Sequence, residues 1–245
     1  MAPRLSAFLI VQNEAKRLPA CLASLEGVAD DIVVLDSDSS DDTVEIARAA
    51  GARVARRPFD GFGAQKQAAL ERCRGEWVLS IDADERLTPA LANEIRGLLD
   101  GTPAAVGYEV RRELHYLGHR LRFGGTRNDW VLRLARRERA RFTSATVHER
   151  LEVEGPVARL RSPMSHHKYE RLAEHVAAMN RYTDLIAEAK SGRGSRFQLW
   201  HLARIPYELF VRLVLQGGLL DGRAGVIYAV MASYYGFLKY AKLYR

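Results

Sequence analysis

Along the first hundred residues, short apolar runs alternate with helical patterns, and each run stops at polar or acidic residues. Leu5-Ser6-Ala7-Phe8-Leu9-Ile10-Val11 ends at Gln12-Asn13-Glu14, and Ile32-Val33-Val34-Leu35 ends at Asp36-Ser37-Asp38-Ser39-Ser40-Asp41-Asp42-Thr43. Ala52-Arg53-Val54-Ala55 reads as a further short strand, and Trp77-Val78-Leu79-Ser80-Ile81 runs into Asp82-Ala83-Asp84-Glu85. The spacing predicts helices over 20–25, 44–50 and 64–73, with Ser40 or Asp41 capping the second and Gly51 stopping it. Near-continuously apolar strands alternating with helices imply a parallel sheet covered on both faces. The chain therefore reads as α/β, and its three acidic strand ends fall on one edge of the sheet. Ligands of open α/β sheets bind at that edge.

Asp82 and Asp84 concentrate the chemistry. Residues i and i+2 of a strand point to the same side, so the two carboxylates can converge. They repel unless a cation lies near them. Hard oxygen donors suit Mg²⁺ or Mn²⁺, and Mg²⁺ is commonly held by one or two carboxylates together with substrate phosphates. The pair thus reads as a metal–diphosphate site, or else as two solvated carboxylates before a helix starting near Thr88-Pro89.

Taken together, these pieces resemble the inverting glycosyltransferases of family 2, which act on nucleotide sugars from one Rossmann-like domain. The resemblance is carried by the first strand with Asn13-Glu14, by Val34 to Thr43, by Gly61 to Gln67, and by Ile81-Asp82-Ala83-Asp84-Glu85. Val147-His148-Glu149, the His166 region, Asn180-Arg181-Tyr182 and Gly218 to Gly225 resemble a narrower branch containing lipopolysaccharide-core enzymes. The implied fold is a GT-A type domain with a mainly parallel sheet, plus a C-terminal helical appendage. Residues 1–168 form the expected catalytic domain, with a nucleotide half over about 1–100 and an acceptor half over about 101–168. Residues 169–245 form the helical region.

The resemblance also suggests roles. Asn13 and Glu14 end the first strand, and Glu14 is expected against the nucleoside, with a macrodipole role as its alternative. Asp36 stands where the family places a carboxylate on uracil or ribose. Asp38 replaces a small residue, often Gly, usual in this element. Gln65 and Lys66 fall near the nucleotide, Lys66 as a counter-charge to diphosphate. Asp84, with Asp82 on the ribose side, is expected to hold Mg²⁺ or Mn²⁺, and His166, ahead of His167, to add a metal or diphosphate contact. Inverting transfer also needs a general base for the acceptor hydroxyl. Asp129, Glu149 and Glu152 are the candidates; Glu149, after the strand-like Phe142–Val147, is preferred and Asp129 stands second.

Composition adds charge. The net charge is +7, and arginines crowd residues 111–141. No recognition helix or aromatic stacking motif accompanies them, so nucleic acid is not the expected partner. A nucleotide-sugar donor and a phosphorylated or lipid-linked glycan acceptor fit better, as does an anionic membrane surface. Between Ala224 and Leu238 no residue is charged, a run too short to span a bilayer but suited to an interfacial helix pair, or to packing and oligomer contacts. Gly217-Gly218 and Asp221-Gly222 mark the turn between those helices. Cys21 and Cys73 are expected as buried helical thiols, and no signal peptide is expected at the N-terminus. The expected location is cytoplasmic, peripheral on the inner face of the inner membrane of a Gram-negative cell. A polyprenyl-phosphate or other glycan glycosyltransferase is the nearest alternative, and two other classes, a nucleotidyltransferase and a non-catalytic membrane scaffold, remain as well. Gln12-Asn13-Glu14 in place of a Gly- and basic-rich first loop weighs against the first.

Overall fold

The structure, a computed structural model, describes residues 3–143, 149–192 and 196–244, the side chains of Leu185 and Ala189 aside. The chain divides into two compact units, Met1–Arg112 with Asp129–His166, and Glu113–Asn128 with His167–Arg245.

The first unit opens with β1 (Leu5–Val11), α1 (Leu18–Ala23), β2 (Asp31–Asp36), α2 (Thr43–Ala49), β3 (Arg53–Arg56), α3 (Phe62–Glu71) and β4 (Trp77–Ser80). A short β5 (Glu85–Leu87) and α4 (Pro89–Asp100) follow. Next come β6 (Gly107–Tyr116), whose last four residues belong to the second unit along with β7 (His119–Arg120), then β8 (Trp130–Arg136), β9 (Ala140–Phe142), β10 (Leu151–Val153), β11 (Val157–Arg159) and β12 (Met164–Tyr169), which belongs to the second unit after His166. The sheet runs β3-β2-β1-β4-β8-β6. β1 pairs parallel with β2 and β4, and β2 with β3, whereas β8 runs antiparallel to both β4 and β6. Val11 lies opposite Asp36, and Phe8 opposite Ser80, so the ends of β1, β2 and β4 share one edge.

Period-two alternation builds both layers. Leu5, Ala7, Leu9 and Val11 face one apolar cluster with Leu18, Leu22, Leu91, Ile95 and Leu99 from α1 and α4. Phe8, Val33, Leu35 and Val78 face the other, with Ala68, Ala69 and Leu70 of α3. Thr88 caps α4, its Oγ1 accepting from the Leu91 N–H at 3.2 Å. Three local expectations are corrected. Asp42, with no side-chain cap bond, precedes α2, because Asp41 turns to accept from the Thr43 N–H instead. The third helix starts earlier than expected and stops at Glu71, which leaves the buried Cys73 just beyond it. Phe142 ends β9, Thr143 lies just beyond it, and residues 144–147 of the expected strand lie outside the described residues.

The second unit is mainly helical: α5 (Leu172–Ser191), a 3₁₀ turn at Leu199–Ala203, α6 (Arg204–Phe210), a π turn at Val211–Leu215 and α7 (Gly222–Ala241). The expected hairpin is present in outline, but its first arm is broken into three short pieces. Gly218 to Gly225 is structural. The Asp221 carboxylate accepts from the Arg122 and Phe123 N–H groups at 3.0 and 2.8 Å. A Cβ on Gly225 would lie 2.2 Å from the Gly218 carbonyl oxygen, so only glycine fits. Of α7, Ala224, Ala229, Met231 and Leu238 are buried. Among the described residues no helix is long and apolar enough to cross a membrane.

Candidate active site

The loops after β1 and β2 are laced together by side chains. Asn13, at φ 56°, donates its N–H to Ser39 Oγ at 2.9 Å, and its Oδ1 accepts from the Ser40 N–H at 2.8 Å. The Glu14 N–H donates to Thr43 Oγ1 at 2.8 Å, and Gln12 Nε2 to the Ser37 carbonyl at 2.8 Å. Asp36 is fully buried and accepts from the Ser39 N–H at 3.1 Å, with Arg56 Nε at 3.7 Å. Asp38 has φ 60°, a left-handed conformation that accounts for a small residue being usual there and for Asp being tolerated. Gln65 is buried too; its Nε2 donates to Ser37 Oγ at 2.8 Å and to the Arg57 carbonyl at 2.9 Å. Asn13, Glu14, Asp36 and Gln65 thus stand together around the Ser37–Ser40 turn. Burial raises the Glu14 pKa, and the charges of Asp84 and Asp41 add to the rise against the opposing pull of Arg17.

Beyond β4 the charged groups form one alternating chain. Glu149 pairs with Lys66 Nζ at 3.1 Å, and Lys66 with Asp82 at 3.2 Å. Asp82 pairs with Arg133 at 2.7 Å, and Arg133 with Glu85. Glu85 pairs with Arg112 at 3.2 Å, and Arg112 grips Asp129 through two bonds of 3.0 Å. The two preferred base candidates therefore sit at opposite ends of one network. Glu152, the third, is an exposed ion pair with Arg141 at 3.5 Å.

Burial sets the energetics of this chain. Glu85 has no exposed surface and Arg133 is 6% exposed, so each depends on its partners to offset lost hydration. Desolvation opposes the charged form of Asp82, but Arg133 and Lys66 overcome it and hold the carboxyl far below the usual carboxylate range. Burial likewise opposes the Arg133 cation, and Asp82 with Glu85 outweighs it and raises its pKa. Glu85 also accepts from the Asp82 N–H at 3.0 Å, which fixes the backbone of the Asp82–Asp84 turn. Burial pushes the Cys21 thiol well above its ordinary value, the carboxylates of Glu85, Asp82 and Asp84 adding to it; that thiol is no nucleophile.

Asp84 stands apart from these cations. β12 pairs antiparallel with β5, opposing His166 to Glu85, and this register brings His166 Nε2 to 3.3 Å from Asp84 Oδ2. His167 points elsewhere and stacks on His115 at 4.4 Å. Among the described residues no group of three or more His, Cys, Asp or Glu side chains forms a complete metal cage. The donor set nevertheless fits a cation shared with substrate. Neighbouring ligands about 2.1 Å from one ion lie about 3 Å apart, and phosphate oxygens commonly complete such a shell. Asp84 and His166 match that separation, whereas the Asp82 carboxylate is already engaged by two cations.

Sequence reasoning missed Glu85, Arg112 and Arg133. Arg133 carried a signal: it interrupts the apolar run Val131-Leu132-Arg133-Leu134, and a charge inside a central strand needs a buried partner.

Comparison with known proteins adds the following. Residues 6–150 match the family model described as glycosyl transferase family 2. The chain is similar to the lipopolysaccharide core biosynthesis glycosyltransferase LpsC of Rhizobium meliloti, 36% identical over 255 residues, spanning 100% of this chain and 94% of LpsC. It is 26% identical over 252 residues to an uncharacterized glycosyltransferase of Rickettsia typhi, spanning 98% and 86%. Among solved structures, S. aureus TarS shares the fold with a TM-score of 0.50 at 15% identity, covering 75% of this chain and 39% of that one.

Proposed function

This chain belongs to glycosyl transferase family 2, and on that premise we propose that it is an inverting enzyme moving a hexose from a UDP-sugar to a lipid-linked envelope glycan of the lipopolysaccharide-core kind. The observation that carries the reading is the pairing of Asp84 with His166 beside the Lys66–Asp82–Arg133 ion pairs, at the ligand-binding edge of the sheet. The acceptor class rests on the full-length similarity to LpsC. Family membership removes the nucleotidyltransferase and scaffold alternatives.

In this reading Asn13, Glu14, Asp36 and Gln65 shape the nucleoside pocket. Asp84 and His166 would hold Mg²⁺ or Mn²⁺, which neutralises charge on the departing diphosphate. Lys66 sits between Asp82 and Glu149, so an incoming diphosphate competes with both carboxylates for its ammonium. Withdrawal of that ammonium frees Glu149 to accept the proton of the acceptor hydroxyl. Glu85 and Arg133 hold the Asp82–Asp84 turn in place. Because nucleotide sugars are cytosolic and the acceptor is carried on lipid, the enzyme works peripherally on the inner face of the inner membrane.

The test is transfer by the full-length protein from a panel of UDP-, GDP- and ADP-hexoses to deacylated core oligosaccharide with Mn²⁺. UDP-hexose turnover with an inverted anomeric centre is expected. Retention of configuration would refute the inverting mechanism, and turnover confined to another nucleotide would refute the UDP assignment.

A further inference from the structure

Charge is divided unequally between the two units. The first holds 22 Lys and Arg against 23 Asp and Glu, a net of −1. The second holds 15 against 7, a net of +8, so it carries the whole positive excess. The arginine-rich stretch over 111–141 supplies only part of it, through Arg120, Arg122 and Arg127. Most of those arginines lie in the first unit and are offset by acids such as Glu76, Glu85, Asp129 and Glu152.

The second unit buries part of its apolar residues, but it also exposes many, and those more than half exposed lie, Tyr244 aside, in the broken arm before α7. Leu199, Trp200, Tyr207, Phe210, Leu215 and Leu220 are 54–78% exposed. Trp200, Tyr207, Phe210 and Val214 recur at helical spacing in the sequence, and all four are exposed. The charges of the same arm face another way. Glu208 pairs with Arg204 at 3.6 Å and Arg212 at 3.4 Å, and both guanidinium groups lie over α7 rings, Tyr240 and Tyr228. Those exposed positions are left apolar and aromatic, and the exposed Arg196 and Arg223 flank them in sequence.

We propose that residues 199–220 are the docking surface of this protein on an anionic lipid bilayer. The proposal rests on the lipid-linked acceptor reading above and makes it specific: the broken arm enters the interface, while α7 serves mainly as its internal support. Charge decides between occupants. A second copy docking here would bring together two units of net +8 each, whereas anionic headgroups attract that charge. Exposed leucines with Trp and Tyr then insert at the headgroup boundary, as in interfacial helices.

The experiment is flotation of the full-length protein with phosphatidylcholine vesicles, with and without about 30% phosphatidylglycerol, at low and high salt. The wild type floats with the anionic vesicles at low salt and less at high salt. Leu215→Glu/Leu220→Glu lowers the bound fraction by more than about tenfold, since each buried leucine contributes about that much to partitioning. Trp200→Glu, in a separate turn, lowers it independently. Near-wild-type thermal melts establish that both variants fold. A wild type that stays unbound at low salt, equal flotation without phosphatidylglycerol, or variants that float normally would overturn the proposal. So would a wild-type dimer in sedimentation that Leu215→Glu/Leu220→Glu dissolves while flotation is unaffected. Sugar transfer to deacylated oligosaccharide separates the two readings. Transfer without flotation defeats the docking surface alone; flotation with no transfer to any envelope glycan defeats the acceptor assignment alone.

Discussion

The two units use the same kinds of residue in opposite ways. In the first, charges go inside: Glu85, Arg133 and Asp82 are drawn into an alternating chain while the apolar residues of β1, β2 and β4 are covered on both faces. In the second, a run of apolar residues over 199–220 stays outside and the net charge is large and positive. Burying charge is costly unless each group is paired, so the first arrangement persists where position must be held for chemistry. Leaving apolar surface in water is also unfavourable, and contiguous exposure of it marks a surface that meets something else.

The sharpest way to break this contrast is at Asp84. Asp84→Ala should lower transfer by at least about 10⁴-fold, since charge stabilisation by a bound cation is worth several kcal/mol, while the melting temperature changes little. Near-normal turnover would detach the metal from this carboxylate. Next is Glu149→Gln, expected to cost about 10²–10⁴-fold in transfer with donor affinity retained, the usual contribution of a general base. A normal rate there, together with an inactive Asp129→Asn, would move the base to the other end of the ion-pair chain.

Arg133→Met tests the cost of the buried chain itself. Among the described residues Glu85 would keep Arg112 as its one counter-charge, and breaking a buried pair costs about 3–5 kcal/mol. In a protein of this size that lowers the melting temperature by about 6–20 °C. Adding Glu85→Gln should recover part of the loss, and a single variant as stable as wild type would show the chain to be energetically idle.

The smallest effect belongs to the second unit. His175 bonds to the Tyr116 hydroxyl at 2.8 Å and stacks on Tyr169 at 4.3 Å. Burial, helped by Lys168, lowers its pKa from 6.5 to about 4. Between those values the unfolded chain binds the proton and the folded one does not. Its contribution is thus intact above pH 6.5 and declines as pH falls toward 4. Thermal melts of wild type should lose more stability over that window than those of His175→Phe; parallel curves would assign the acid sensitivity elsewhere.

What was legible in the chain was whatever is written locally. Apolar runs ending at Asn13-Glu14, at Asp36 and at Asp82 are strand ends, and their parallel pairing puts all three on one edge. What was not legible depends on partners distant in sequence. His166 meets Asp84 only because β12 pairs with β5 in one register. Lys66 meets Glu149 across 83 residues, and no spacing rule anticipates that. Asp41 meets the first N–H of α2, that of Thr43, from one residue further back than a cap, because its other oxygen is held by the Ala15 N–H. The uncharged run of α7 suggested an interfacial or a packed helix, and its residues divide between the two: Ala229 and Met231 are buried, Val230 and Tyr234 exposed, while the exposed leucines precede it.

Calorimetric titration of UDP into the full-length protein, with Mn²⁺ and then with EDTA, tests the central assignment most directly. The account predicts binding that weakens at least about tenfold without the cation, a difference of about 1.4 kcal/mol, and an Asp84→Ala variant that no longer distinguishes the two conditions. UDP affinity unchanged by EDTA, or an Asp84→Ala variant that keeps the wild-type response to Mn²⁺, would contradict it.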